Sequence, residues 1–346
     1  MSRDLRYRLL GPSGLRVSEL ALGTMTFGTE WGTGGDAAES RRMFDAYAAR
    51  GGNFIDTANR YTEGTSERLL GDFLAADRDH FVLATKYTLF DRKGDPNFSG
   101  NHKKNLHRSV KASLERLRTD HLDLLWVHMW DFTTPVEEVM RALDELVRGG
   151  SVHHIAISDT PAWVIAQANT LARARGWTPF TAVQLRYSLI DRAAERDLLP
   201  MAKAFGLAVT PWSVIGAGVL SGKYNTDAAA TGRAAKGAAK QPRNLEIAGV
   251  VNEIAAELGA SATQVAIAWA MSRPGVIIPL IGARNVRQLE DNLGAVDVTL
   301  APAQLERLER VSAIELGFPH DFLLTEATQE IVFGGTQGRL ERPGRW

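Results

Sequence analysis

Apolar runs and amphipathic stretches alternate along most of this chain. Short apolar runs near residues 20–23, 54–56, 81–86, 122–128, 154–158, 182–185, 207–211 and 276–281 predict eight strands. Most are separated by stretches with apolar residues at helical spacing, such as Met43, Ala46 and Tyr47, or Val139, Leu143, Leu146 and Val147. The recurring unit is an amphipathic helix, a Gly or polar break, an apolar run and then a polar residue. It appears as SRRMFDAYAARGGNFIDT (40–57), VEEVMRALDELVRGGSVHHIAIS (136–158), DLLPMAKAFGLAVTPW (197–212) and TQVAIAWAMSRPGVIIPLIG (263–282). Runs this continuous suit strands buried on both faces, as in parallel βαβ units. Eight such units close more naturally than they stack, so the expected fold class is α/β, a (β/α)8 TIM barrel.

Two segments depart from the repeat. Residues 5–18, LRYRLLGPSGLRVS, read as a β-hairpin turning at Gly11–Gly14 and placed to plug the bottom of the barrel. Residues 222–244 form a long basic, Ala/Gly-rich loop after the seventh strand, and 315–346 form a C-terminal tail. With 346 residues the chain has room for a barrel of roughly 250 residues plus insertions. No low-complexity linker divides it, so residues 1–346 are read as one domain.

Composition narrows the function. A formal net charge of zero argues against broad electrostatic binding to nucleic acid or anionic membrane. No apolar stretch approaches the ~18–20 residues that span a bilayer, and the polar N-terminus lacks the apolar core of a signal peptide. The absence of cysteine excludes disulfides and thiolate metal sites, which fits a cytoplasmic protein acting on a small molecule. Nothing in the chain indicates an oligomeric state.

The polar residues at the strand ends carry the chemistry. NFIDTANRY (53–61) places Asp56 at a strand end and Tyr61 five residues on; FVLATKY (81–87) brings Lys86, and LDLLWVH (122–128) ends on His128. The carboxyl ends of barrel strands converge on one face, so these four would share a pocket. Together they are suited to poise a phenol near neutral pH as a proton donor. Taken singly, Asp56 reads first as a helix cap, Lys86 as solvated, Tyr61 as loop packing and His128 as structural; the four at adjacent strand ends reverse that reading. The pairs His153–His154 and His102/His107 lack acidic partners at metal-ligand spacing and read as surface or loop residues.

At these residues the chain resembles the aldo-keto reductases. The likeness runs from LGPSGLRVSELALGTMTFG (10–28) to QLEDNLGA (288–295). GGNFIDTANRY–EG–SERLLG (51–71) and HLDLLWVHMWD (121–131) carry it, while IAISDTPAW (155–163) and LLPMAKAFGLAVTPWSVIGAGVLSGKY (198–224) look like microbial members. The resemblance implies a (β/α)8 fold, NAD(P)H-dependent carbonyl reduction without a metal, and a tetrad of Asp56, Tyr61, Lys86 and His128. No side chain supplies hydride, so a nicotinamide must bind.

For that cofactor, Ser158, Asp159 and Gln184 sit at predicted strand ends, where polar groups suit a nicotinamide carboxamide. The family's strand often ends Ser-Asn; here it is Ser-Asp, and an ionised Asp cannot donate. Trp212 matches the aromatic that stacks on the nicotinamide, although a core Trp competes with that reading. Ser213, Gly216 and Gly218 would let backbone N–H groups approach the pyrophosphate. No GxGxxG motif follows a strand, which argues against a Rossmann site. In IGARNVRQLEDN (281–292), Gly282 and Ala283 are expected to open a helix whose N-terminus favours an anion. Arg284 stands where the family contacts the adenosine 2′-phosphate, favouring NADP, and Gln288, Asp291 and Asn292 would reach the adenine. Asp291 reads alternatively as part of a solvated helix. Lys223 and Arg233 would fold over the phosphates. The expected substrate rim is Met25, Phe27, Trp31, Phe90, Met129 and Trp130, with Phe318 and Phe322 of the tail. The favoured function is NADPH-dependent reduction of aldehydes or ketones to alcohols. The alternatives are a nicotinamide-binding regulatory subunit with slow redox turnover and a cofactor-free barrel isomerase or hydrolase.

Overall fold

The computed structural model describes residues 3–222 and 241–341. A hairpin, β1 (Tyr7–Leu9) and β2 (Arg16–Ser18), precedes eight strands. These are β3 (Ala21–Gly23), β4 (Phe54–Asp56), β5 (Val82–Tyr87), β6 (Leu122–Val127), β7 (Val152–Ser158), β8 (Ala182–Arg186), β9 (Ala208–Trp212) and β10 (Leu280–Ile281). They pair in parallel in the order β10-β3-β4-β5-β6-β7-β8-β9. The ring is completed where Val209 donates to Val276 O and accepts from Ile278 N, each at 2.8 Å. All eight expected strands are present, and the α/β barrel expected from the alternation is the fold.

Helices follow the strands around the outside: α1 (Ala37–Ala49), α2 (Thr65–Leu74), α3 (Lys103–Leu117), α4 (Val136–Arg148), α5 (Ala162–Arg175) and α6 (Leu198–Phe205). Then come α7 (Pro242–Leu258), α8 (Ala262–Met271), α9 (Val286–Leu293) and α10 (Pro302–Ser312), with two short tail helices, α11 (His320–Leu323) and α12 (Glu326–Phe333). The amphipathic period decides which face is buried. In α4, Val139, Met140, Leu143 and Leu146 are buried against the barrel while Glu137 and Glu138 lie in the first turn, where the helix dipole favours acids. Gly176, Gly206 and Gly259 end α5, α6 and α7 in the left-handed conformation that glycine adopts at least cost.

The barrel interior holds its own cluster: Phe54, Val82, Ala84, Leu124, Trp126, Ala156, Ala182, Ala208 and Ile278. Leu10 and Val17 of the hairpin belong to it, fully buried, so the hairpin packs against the interior from below. Its turn lies tight on the barrel: Gly11 has φ 58°, and a Cβ there would meet Thr181 O at 2.1 Å. Gly14, three residues on, has open space around it.

Gly11→Ala should therefore destabilise the fold by about 1–3 kcal/mol, through left-handed strain and overpacking, while Gly14→Ala stays near neutral. Urea unfolding of the two variants checks this. Equal losses would mean the hairpin turn is not seated as described.

Candidate active site

Strand periodicity aims the polar residues inward. Side chains two apart share a face, so the apolar interior residues predict the direction of the next residue but one. Phe54 is followed by Asp56, Val82 and Ala84 by Lys86, Leu124 and Trp126 by His128, Ala156 by Ser158, and Ala182 by Gln184. The strands are in parallel register, Asp56 opposite Ala84, Lys86 opposite Trp126 and Ser158 opposite Gln184. The apolar part of each strand thus fills the barrel, and the polar part forms the floor of one cavity at its carboxyl end.

That cavity has a volume of about 440 Å3. Asp56, Tyr61, His128, Ser158, Asp159, Gln184, Trp212, Ser213, Gly282 and Asn292 line it, with Met25, Trp31, Leu89 and Met129 toward the mouth. Lys86 lies beneath the floor, fully buried. Its ammonium donates to Asp56 Oδ2, to Thr57 O at 2.9 Å and to Tyr61 Oη at 3.0 Å. Three acceptors match the three protons of an ammonium. Gln184 Nε2 donates to the other Asp56 oxygen at 3.0 Å, so Gln184 holds the aspartate while it also lines the cavity. The His128 ring stands edge-on to Tyr61, centroids 5.9 Å apart.

Burial dominates the electrostatics. Burial alone would lower the Lys86 ammonium, but Asp56 and Tyr61 beside it hold its pKa above the ordinary value. Burial raises Asp56 against the pull of Lys86 and Gln184. It also pushes the Tyr61 phenol above its ordinary value, with Lys86 opposing. The expectation of a phenol poised near neutral pH is corrected here: desolvation outweighs the ammonium, and Tyr61 holds its proton at neutral pH. Burial, and then Lys86, place His128 well below its usual value, so its imidazole is neutral.

Two buried polar atoms on the cavity wall have no hydrogen-bond partner among the described residues, Ser158 Oγ and His128 Nδ1. Such orphans mark where a ligand completes the bonding. A polar floor, Ser158 and the Trp212 ring beside it fit a nicotinamide. Asp159 has φ 39° and accepts the indole N–H of Trp212 at 3.0 Å, which orients that ring. Desolvation raises the Asp159 carboxyl, with Trp212 and Lys86 opposing.

The adenosine end departs further from expectation. Gly282 and Ala283 lie in a loop rather than opening the helix; α9 starts at Val286, because Asn285 is extended and caps Gln288 N. The Glu39 carboxylate already accepts from Val286 N at 2.6 Å, so that N–H is not offered to an anion. Asp291 is turned away, bonded to Ser261 Oγ at 3.0 Å and Gln264 Nε2 at 3.1 Å of α8. Asn292 does face the cavity and bonds Gly282 O. Gln288 accepts from Arg284 N, and the Arg284 side chain is exposed and forms no ion pair among the described residues. Gly216 and Gly218 stand off the cavity, where Ser213, Val214, Ile215 and Ala217 line it instead. Gly216 has φ 56° and lies against Ile190. Lys223 and Arg233 lie outside the described residues. The rim also needs correction. Phe27 is buried in the outer core against Phe73, Trp130 is half-buried against that core, and Phe318 and Phe322 are exposed away from the cavity lining.

Sequence reasoning missed the Gln184–Asp56 bond, because the two are 128 residues apart and only the barrel joins them. It also missed that His121, Asp123 and His153 gather at the opposite end of β6 and β7. The two rings stack, centroids 4.6 Å apart and planes 23° apart. Asp123 is meanwhile held by Arg78 at 2.8 Å.

Residues 19–313 match the Aldo/keto reductase family, and the chain belongs to it. It is an NAD(P)H-dependent oxidoreductase of the carbonyl-reducing kind. Norsolorinic acid reductase A of Aspergillus parasiticus is 41% identical over 334 residues, covering 93% of this chain and 85% of that protein. The aryl-alcohol dehydrogenase [NADP(+)] of Phanerodontia chrysosporium is 38% identical over 342 residues, covering 91% and 88%. An aldo-keto reductase, ausK, of Emericella nidulans is 39% identical over 333 residues, covering 91% and 84%. Among the described residues no single helix is long and apolar enough to cross a membrane.

The neutral His128 makes a pH prediction. Its folded pKa lies below the unfolded value of about 6.5, so the unfolded chain binds the extra proton and stability falls as pH drops through that value. Between pH 7 and 5 the wild type should lose up to about 1.4 kcal/mol per pH unit more than His128→Gln. Urea titrations of both proteins test it, and parallel slopes would mean His128 titrates normally.

Proposed function

We propose that this protein reduces aldehydes or ketones to alcohols with NADPH, the proton coming from Tyr61. The observation that carries this reading is the Tyr61 hydroxyl, 3.0 Å from the buried Lys86 ammonium in a cavity it shares with a neutral His128. NADPH, when bound, supplies hydride to the carbonyl carbon. Everything else falls to the chain. Tyr61 holds a proton at Oη and releases it to the oxygen as negative charge develops there. Lys86 stabilises the phenolate left behind, and Asp56, tied by Gln184, keeps Lys86 charged and aimed. A neutral His128 can donate one hydrogen bond to the substrate oxygen and orient it without competing as an acid. Ser158, Asp159 and Asn292 hold the nicotinamide side, and Trp212, oriented by Asp159, offers its face. Met25, Trp31, Leu89 and Met129 give the mouth an apolar, partly aromatic wall that excludes water and favours aryl or other apolar carbonyls. The names of the relatives, a norsolorinic acid reductase and an aryl-alcohol dehydrogenase, point the same way. Asp56, Tyr61, Lys86 and His128 are assigned the catalytic roles. The cytoplasm suits a cysteine-free chain of zero net charge.

Tyr61→Phe should lower kcat by about 10²–10⁴ while leaving the Kd for NADPH within a few-fold. Steady-state rates and fluorescence titration check it. A Phe variant with more than about a tenth of wild-type kcat would remove Tyr61 as the acid.

The preference for NADP rests on Arg284, the exposed cation beside the start of α9. With the first N–H of that helix taken by Glu39, the Arg284 charge is the group assigned to the 2′-phosphate. A charge-assisted contact is worth roughly 1.5–3 kcal/mol, so Arg284→Ala should weaken NADPH by about ten- to a hundredfold and spare NADH. Equal losses for both cofactors would leave the 2′-phosphate without its partner.

A further inference from the structure

Tyr61 is followed by two non-glycine residues in the left-handed region, Thr62 at φ 45° and Glu63 at φ 55°. For a β-branched residue such as Thr this is a costly conformation, kept only where surroundings over-determine it. The surroundings are visible. Buried Thr62 donates from Oγ1 to Phe27 O at 2.6 Å and accepts from Ser66 N at 3.1 Å. Thr65 donates to Glu30, and Trp31 Nε1 donates to Glu63 Oε1 at 3.2 Å. Three consecutive contacts thus tie the loop after β3 (residues 24–36) to the turn that carries Tyr61.

The last of these contacts extends further. Glu63 accepts from Arg60 through its second oxygen, and the Arg60 guanidinium lies over the Phe90 ring, 4.4 Å from its centroid. Arg60, then Trp31, hold the Glu63 carboxyl below its usual pKa, so it is charged at neutral pH. Trp31 in turn stands edge-on to Tyr61, ring centroids 6.3 Å apart and planes at 80°. Phe90, Arg60, Glu63, Trp31 and Tyr61 form one chain of contacts across the loops that follow β3, β4 and β5. Tyr61 and Trp31 line the cavity, while Glu63, Arg60 and Phe90 do not.

We propose that Glu63, braced by Arg60, is a positioning residue that latches Trp31 over Tyr61 and so sets a preference for flat aromatic carbonyls over flexible aliphatic ones. This rests on the reading of the cavity as a carbonyl-reducing site. An indole with a free N–H and no tether has rotamers to lose when a substrate packs on it; held by a charged acceptor, it presents its surface ready-made. A planar aryl group gains most from such a fixed aromatic wall, through offset or edge-on contact, whereas an alkyl chain adapts to a mobile one. Glu63 reaches Trp31 from within this left-handed turn.

The test uses full-length protein, NADPH, and two probe substrates, 2-naphthaldehyde and hexanal. Glu63→Ala should raise KM for 2-naphthaldehyde about three- to tenfold, with hexanal shifted less than about twofold and kcat little altered for either. Glu63→Gln keeps an oxygen that can accept the indole N–H and should restore most of the aryl preference. In a Trp31→Ala background, Glu63→Ala should add nothing further, since the two act through one contact. Thermal melting of each variant shows whether the turn still folds, and the Gln variant carries the test if the Ala variant does not. Equal KM shifts for both aldehydes, a Gln variant as impaired as Ala, or an undiminished Glu63 effect without Trp31 would each overturn the latch. Turnover of neither aldehyde by the wild type would instead overturn the reductase reading, and the latch with it.

Discussion

The buried ion pair between Lys86 and Asp56 is the constraint around which the site is arranged. Both side chains are fully buried inside the barrel. A charge taken out of water is stable there only with full compensation, and removing one partner of such a pair typically costs about 3–5 kcal/mol. The barrel supplies that compensation from three strands and the turn after β4. Lys86 comes from β5, Asp56 and Thr57 O from β4 and its end, Gln184 from β8, and Tyr61 from the turn. The same bonds that make the ammonium tolerable also aim the phenol, so stability and chemistry share one set of contacts.

Desolvation then sets the protonation states. The cavity floor raises the phenol and lowers the imidazole, leaving Tyr61 protonated and His128 uncharged. Lys86 opposes the rise of the phenol without overcoming it; in the proposed reaction it would stabilise the phenolate. The strained turn after Tyr61 fits this division. Thr62 and Glu63 spend conformational energy to tie the loop after β3 down over a group whose direction matters.

Much of this was legible in the chain. The alternation of apolar runs and amphipathic stretches sufficed for eight strands and a barrel, because each run is short, apolar and broken by polar or glycine residues. The convergence of strand carboxyl ends in a barrel was enough to bring Asp56, Lys86 and His128 to one pocket and to put Ser158 and Gln184 at strand ends of the same barrel. The adenosine end was read less well. In sequence Gly282 and Ala283 read as opening the helix directly after the strand, and the extended Asn285 delays it to Val286. Asp291 lies on that helix as expected, but Ser261 and Gln264 of α8 claim its carboxylate. Phe27 reads as a rim aromatic in sequence and is core in space, because the loop after β3 folds back against Phe73.

By itself, then, the sequence determined the local periods: which residues face inward on a strand, which cover a helix face, and which polar types close each strand. Those follow from backbone geometry acting over a few residues. Only the tertiary structure decided which of them meet. The Gln184–Asp56 bond spans 128 residues, the hairpin's Gly11 lies against Thr181, and the Glu39 carboxylate reaches Val286 across 247 positions. Protonation states belong to that second class too. A phenol beside an ammonium reads as acidic on paper, and the depth at which the barrel buries the pair reverses the sign.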